Sequence, residues 1–216
     1  MKESEQYSDI EIIRRINEGQ VPLFEILIRR NNSYLYRVGR SYNYNHEDTQ
    51  DLMQETFIDA FINLEKFEGR SSFKTWIIRI MLNNCFRRKQ KLSFKTEAPN
   101  EITDNSSPMF HNRQSDTGQS VANLELGQVI EKALQNVPED YRVIFSLREI
   151  SGLNVNETAE VLAISEANVK VRLNRAKSML RKEIEKSYSP EDIFEFNLIY
   201  CDAMVNRVMK AIGGLK

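Results

Sequence analysis

Between Lys91 and Asn123 the chain loses every sustained apolar period. The stretch KLSFKTEAPNEITDNSSPMFHNRQSDTGQSVAN is polar and carries Pro99 and Pro108. A structureless run of this length does not belong inside one compact domain, so it reads as a flexible polar linker. It divides the 216 residues into two blocks, each large enough for a small core. Both blocks have helical spacing. With Gly 8, Pro 5 and 41% hydrophobic residues, the composition suits helices and excludes a chain disordered throughout. The expected fold class is all-α, two small helical domains joined by the linker. The expected boundaries are 8–90, linker 91–123, 124–187, and a C-terminal extension at 188–216.

Four amphipathic stretches are expected between residues 9 and 88. Ile10, Ile13 and Ile16 or Asn17 begin the first, which stops near Gly19. A second runs from about Val21 to Asn43, with Phe24, Leu27, Ile28, Leu35 and Val38 inward. In the third, at 48–65, Met53, Phe57, Ala60, Phe61 and Leu64 share one helical face. The fourth starts at Ser71 or Ser72, and Phe73, Ile77, Ile80, Met81 and Asn84 or Cys85 form its stripe. Beyond the linker, Leu126, Ile130, Ala133, Leu134 and Val137 mark a helix. Pro138 is suited to the first position of the next helix, with Glu139 and Asp140 at its positive dipole end. Gly152 stops that helix.

The formal net charge of −1 hides an asymmetry. Residues 1–66 hold twelve acids and eight bases, whereas 69–96 hold eight bases and no acid. Residues 165–188 add seven bases against three acids. Two separated basic segments are either two contacts with a polyanion or two solvated helix faces. Cys85 and Cys201 stand in no ligand spacing, which argues against a disulfide framework and fits a reducing compartment. Met1–Ser8 is polar and no apolar run approaches the roughly 18 residues of a membrane span, so a cytoplasmic protein without membrane insertion is expected. His46 and His111 are isolated and no Glu-x-x-His pair occurs, so no metal and no cofactor are expected. With no nucleophile–base pair and no phosphate loop, an enzyme is not expected either.

In the second block, Asn154 and Glu157 form an N-cap and capping-box pair. A short helix follows with Val155, Ala159 and Leu162 inward. Ala163 and Ile164 make a tight connection, and Ser165 caps the next helix, whose stripe is Val169, Leu173, Ala176 and Leu180. Two short helices, a tight turn and a basic second helix describe a helix-turn-helix. The outward residues Glu166, Asn168, Lys170, Val171 and Asn174 could reach base edges, and Arg172, Arg175 and Lys177 could reach phosphates.

Residues 67–88 read FEGRSSFKTWIIRIMLNNCFRR. Bases interleaved with rings suit single-stranded DNA, where cations hold the backbone and aromatics stack on bases. Trp76, Arg79, Asn83 and Arg87 share a face distinct from the core stripe, and an asparagine there could read an unstacked base. Phe73 reads better as core. On the third helix, Asp51, Gln54, Glu55, Ile58 and Ile62 form an outer stripe of mixed polar and apolar residues, which suggests docking against another helix. Three rival readings fit less well: a stand-alone helix-turn-helix regulator leaves Trp76–Arg88 and the Asp51/Glu55 face unexplained, a helical enzyme lacks its chemical groups, and fifteen bases in two compact segments argue against a protein-only adaptor.

Taken in order, several runs resemble the extracytoplasmic-function (ECF) class of bacterial sigma factors. They are Glu47–Phe57 (EDTQDLMQETF), Phe67-Glu-Gly, Phe73–Ile80 (FKTWIIRI), Val137–Arg142 (VPEDYR), Leu147–Leu153 (LREISGL) and the helix-turn-helix to Lys177. The resemblance covers roughly residues 8–187. It implies that 8–90 is sigma region 2, a helical bundle, and 124–187 is region 4. It further implies that the chain binds core RNA polymerase, through the largest-subunit clamp helices and the flap, and carries it to promoter DNA. Asp51, Gln54, Glu55, Ile58 and Ile62 would dock on the clamp. Asn63, Phe67, Lys74, Trp76, Arg79, Asn83, Arg87 and Arg88 would hold the opened −10 element. Ser165, Glu166, Asn168, Lys170, Val171, Arg172, Asn174, Arg175 and Lys177 would engage the −35 element. The linker would run along the RNA-exit channel, and an anti-sigma factor would be a regulatory partner. Asn168-Val169 stands where such factors commonly carry a Thr-Val pair, so the promoter sequence does not follow. The apolar tail at 189–216, with Cys201, extends beyond the usual end; it reads as packing against region 4 or as a regulatory contact.

Overall fold

The computed structural model describes residues 7–93 and 127–186, and among them there is no strand. Helix α1 spans Asp9–Asn17, and Ser8 caps it by accepting from the Glu11 N–H at 3.2 Å. It turns off at Gly19, whose φ of 101° is open to glycine without strain. The single helix expected from Val21 is split in two. Pro22 sits in a 3₁₀ turn at Val21–Leu23, and α2 follows at Phe24–Ser41. Helix α3 covers His46–Ile62 and is capped by the Asn45 side chain, which accepts from the Asp48 N–H at 2.7 Å. A 3₁₀ turn at Leu64–Lys66 leads to α4, Phe73–Ser93. Helix α4 thus runs three residues into the segment expected as linker.

The bundle core is built from Ile12, Leu27, Leu35, Val38, Leu52, Ile77, Ile78, Met81 and Cys85, all fully buried. The buried stripe of α3 differs from the expected one. Thr49, Leu52, Thr56, Phe57 and Ala60 face inward, while Met53 is half-buried and Phe61 exposed. The rotation is possible because the threonine hydroxyls are satisfied inside: Thr56 Oγ1 donates to the Leu52 carbonyl at 2.7 Å. Gly39 sets the closest approach of α2 to its neighbours. A Cβ there would meet Thr49 Cγ2 at 2.6 Å and Met81 Cε at 3.1 Å.

In the second block, α5 occupies 127–135 and α6 spans Glu139–Phe145. Pro138 is the N-cap of α6, one position ahead of expectation. A π turn at Ser146–Ile150 widens the end of that helix before Gly152, φ 68°. Helices α7, Val155–Leu162, and α8, Glu166–Glu185, complete the block. Ala133, Leu134, Val137 and Leu180 form its own apolar cluster. Arg142 is buried and closes the end of α5, donating to the carbonyls of Val137 at 2.7 Å and Gln135 at 3.0 Å. Burial lowers its pKa from the usual arginine value.

The two units do not stand apart. Val143, Leu147 and Leu153 belong to the same apolar cluster as the first bundle, and Val161 and Leu162 pack against it. Arg40 reaches Glu131 through Nε at 3.0 Å and Nη2 at 2.8 Å, both to one carboxylate oxygen and both buried. Arg142 also donates to the Ser41 carbonyl at 2.5 Å. Residues 94–126 and 187–216, which include most of the expected linker, Cys201 and the apolar tail, lie outside the described residues.

Gly39→Ala should destabilise the chain although alanine favours helix. Overpacking costs about 1–3 kcal/mol and the propensity gain returns at most about 1, so a net loss of about 1 kcal/mol is expected. Chemical denaturation checks this; a gain in stability would mean that α2 and α3 separate freely.

Candidate nucleic-acid and protein interfaces

The outer stripe of α3 is open to solvent. Asp51, Gln54 and Glu55 are exposed, as are Ile58 and Ile62 at 51% and 69%. Asp51, Gln54, Glu55, Ile58 and Asp59 line a shallow open groove. Two exposed isoleucines beside three carboxylates match a helix with an apolar stripe and basic flanks better than they match water. Asp59 looks the other way as well. Its Oδ2 accepts from Asn84 Nδ2 at 3.1 Å and pairs with Arg87 at 3.4 Å, which ties this helix to α4.

The loop before α4 and the first turns of that helix hold a ring cluster. Phe67 lies 5.8 Å from Phe73 and 5.3 Å from Trp76, centroid to centroid. Phe73 is core, as expected, while Phe67 and Trp76 are half-buried. Asn63 ends α3, and its side chain donates to the Asp59 carbonyl and accepts from Lys66, both at 2.8 Å. Asn83 and Arg87 are exposed; Arg88 is half-buried, paired with Asp48 and placed over the Tyr44 ring at 5.9 Å. Lys74 and Arg79 are engaged by the second unit. Lys74 donates to the Ser151 carbonyl at 3.3 Å, and Arg79 to the Glu160 carbonyl at 2.9 Å.

The helix-turn-helix has the caps its residues call for. Asn154 and Glu157 form the reciprocal capping box of α7. Ala163 takes the left-handed conformation, φ 52°, at the turn, and Ser165 accepts from the Asn168 N–H at 3.2 Å. Val169, Ala176 and Leu180 are buried, which turns the opposite face of α8 outward. Ser165, Glu166, Asn168, Lys170, Val171, Asn174, Arg175 and Lys177 are all exposed. Arg172 is half-buried beside Asp140 at 3.6 Å, and Lys177 pairs with Glu149 at 3.0 Å. Both are surface pairs of small worth, so the cations remain available to phosphate. Among the described residues no cluster of three His, Cys, Asp or Glu side chains could hold a metal, and no helix is long and apolar enough to cross a membrane.

The open acidic face of α3, the ring-and-base helix α4 and the capped helix-turn-helix follow one another along the chain. Residues 27–94 match the family description Sigma-70 region 2, and residues 127–180 match Sigma-70, region 4. The chain belongs to the ECF sigma factors. It is 29% identical to the ECF RNA polymerase sigma-E factor of Haemophilus influenzae, covering 84% of this chain and 98% of that one. It is 26% identical to the ECF RNA polymerase sigma factor SigW of Bacillus subtilis, covering 80% and 94%. Two solved structures share the fold. One is the sigma factor RpoE of Bartonella quintana with the anti-sigma factor NepR, at 19% identity and TM-score 0.62, covering 76% of this chain and 98% of that one. The other is CnrH with the cytosolic domain of CnrY, at 23% and 0.59, covering 82% and 97%.

What sequence reasoning missed at the α4 surface of this sigma factor is the set of contacts made there with the second unit. Thr75 is buried and donates to Glu157 Oε1 at 2.9 Å. Lys89 pairs with Glu139 at 2.7 Å, and Arg79 with Glu160 at 3.2 Å. The acids lie 50 to 82 residues further along the chain, and no local spacing marks them as partners.

Behind Arg88, three acidic groups are held neutral. Burial pushes the Cys85 thiol up to about 12 from 9.0, and it raises the hydroxyls of Tyr42 and Tyr44 as well. Tyr44 also donates to the Cys85 carbonyl at 2.9 Å. Unfolding frees these groups to ionise, so their stability is complete below pH 9 and is lost as the pH rises towards 12. The thermal midpoint should therefore fall between pH 9 and 11, and Cys85→Ala should flatten that slope. A midpoint level across this range would contradict the burial assigned to the three groups.

Proposed function

We propose that this ECF sigma factor acts in the cytoplasm, binds core RNA polymerase and directs promoter recognition, melting and initiation under the control of an anti-sigma factor. In this reading residues 8–90 serve the polymerase and the −10 element, residues 91–123 link, and residues 124–187 serve the −35 element. The observation that carries it is the pairing, on one chain, of a capped recognition helix with a second basic helix edged by rings. A regulator of duplex DNA alone has no use for the second.

Each face has a distinct task. Asp51, Gln54, Glu55, Ile58 and Ile62 would meet the clamp helices, with carboxylates steering and isoleucines losing water. Region 4 would also meet the flap. Helix α8 would enter the major groove at the −35 element with Glu166, Asn168, Lys170, Val171 and Asn174 towards base edges, and with Ser165, Arg172, Arg175 and Lys177 towards the backbone. Asn63, Phe67, Lys74, Trp76, Arg79, Asn83, Arg87 and Arg88 would receive the unstacked −10 strand. The chain performs no bond chemistry. It favours the open promoter by binding that state more tightly than the duplex. The complexes of RpoE with NepR and of CnrH with the cytosolic domain of CnrY support an anti-sigma partner.

Run-off transcription on genomic fragments with matched core polymerase tests the reading. Discrete new starts that share two spaced elements are expected. Duplex binding without added transcripts would favour the stand-alone regulator. Glu55→Arg should weaken core-polymerase binding by about tenfold, measured by competition, with the thermal midpoint unchanged. Lys170→Ala should weaken −35 duplex binding by about 1–3 kcal/mol if it contacts a base, and unchanged preference across −35 variants would remove it from the reading set.

A further inference from the structure

Of the large apolar side chains exposed among the described residues, three stand together at the end of α3: Ile58, Phe61 and Ile62, at 51%, 39% and 69%. Carboxylates border them. Asp51, Glu55 and Asp59 line an open groove with Gln54 and Ile58. The exposed rings and branches elsewhere have the opposite surroundings. Phe86 adjoins Arg87 and Lys89, and Val171 lies between Lys170 and Arg172. A segment that is both apolar and basic is therefore attracted to α3 and repelled from the exposed faces of α4 and α8.

The chain carries such a segment. Residues 203–216 read AMVNRVMKAIGGLK, with Arg207, Lys210 and Lys216 and no acid. Met204, Val205, Val208, Met209 and Ile212 fall at i, i+1, i+4, i+5 and i+8, which is one helical face. Asp202 is suited to cap such a helix, Lys210 falls in its last turn, and Gly213 follows as a stop. A helix over 203–212 is too short to stand alone in water, so the pattern calls for a surface to pack on. Reach does not limit the choice. Helix α8 ends at Glu185. Residues 186–202 can span about 55 Å when extended, whereas a folded unit of this size has a radius of gyration of about 15 Å.

We propose that residues 203–212 dock in cis on the outer face of α3, with their apolar stripe on Ile58, Phe61 and Ile62 and their cations towards Asp51, Glu55 and Asp59. The docked segment competes with the clamp helices of the polymerase; this consequence rests on reading that face as the polymerase-binding surface. Tethering gives the segment a high effective concentration, so a contact too weak to hold separate molecules together is populated within one chain. Apparent affinity for core polymerase is then reduced to the fraction of molecules whose α3 face is free. No second protein is needed for this restraint, which sets it apart from an anti-sigma factor.

The contact is tested in the full-length free protein with p-benzoylphenylalanine in place of Phe61, irradiated in dilute solution and mapped by mass spectrometry. Crosslinks to 203–212 of the same chain are expected. Crosslinks that join two chains, or none to that segment, would overturn the proposal. Competition for core polymerase tests the consequence. Val208→Asp with Ile212→Asp should bind about fivefold tighter than the parent, the factor expected when the segment covers the face in about four molecules of five. Ser189→Asp with Asn197→Asp adds the same charge to the tail outside 203–212, and should stay within about twofold of the parent. Equal affinity of the parent and the Val208/Ile212 variant, or an equal gain in the control, would overturn the competition. The crosslink is read without polymerase, so it stands or falls separately from the sigma reading, which the run-off assay judges.

Discussion

Arg40 and Glu131 lie 91 residues apart and meet in the interior, where one carboxylate oxygen takes two guanidinium N–H groups. Removing both charges from water costs several kcal/mol per ion, and their attraction repays this only when the geometry is good. Such a pair adds little net stability over an apolar replacement. Its effect is on register. Apolar surfaces can slide on one another at small cost, but a displaced docking would leave a buried charge unpaired. The pair therefore selects one arrangement of the two regions. The contact of Arg142 with the Ser41 carbonyl, the burial of Leu147 and Leu153, and the seating of α7 on α4 all belong to that arrangement.

Three working surfaces follow, and they differ in access. The outer stripe of α3 and the outward face of α8 are open, whereas Lys74, Thr75 and Arg79 of α4 are engaged by the second unit. Asp59 adds a short path between surfaces, since it lines the α3 groove and also holds Asn84 and Arg87 of α4.

Much of the fold was legible because its signals are local. The caps at Asn154 and Ser165 accept N–H groups three residues on, and the stripes of α4 and α8 repeat at helical spacing. The errors have physical sources. Pro22 begins α2 through a 3₁₀ turn. The stripe of α3 was rotated because Met53 and Phe61 outrank Thr49 and Thr56 in apolarity. A threonine that returns its hydroxyl to a carbonyl of its own helix nevertheless packs as a small branched core residue.

The sequence by itself determined most of the helices, the helix-turn-helix, and the outward placement of Asp51, Gln54, Glu55, Ile58 and Ile62 on α3. Each of those depends on spacing within a few turns and on caps within three residues. Only the tertiary structure decided that Glu157 has a second task beyond its capping box, that Glu160 meets Arg79, and that Arg40 is an interior residue. Those pairings join positions 81 to 91 residues apart. They exist because two apolar surfaces dock in one register, and helical periodicity carries no information about which surface meets which.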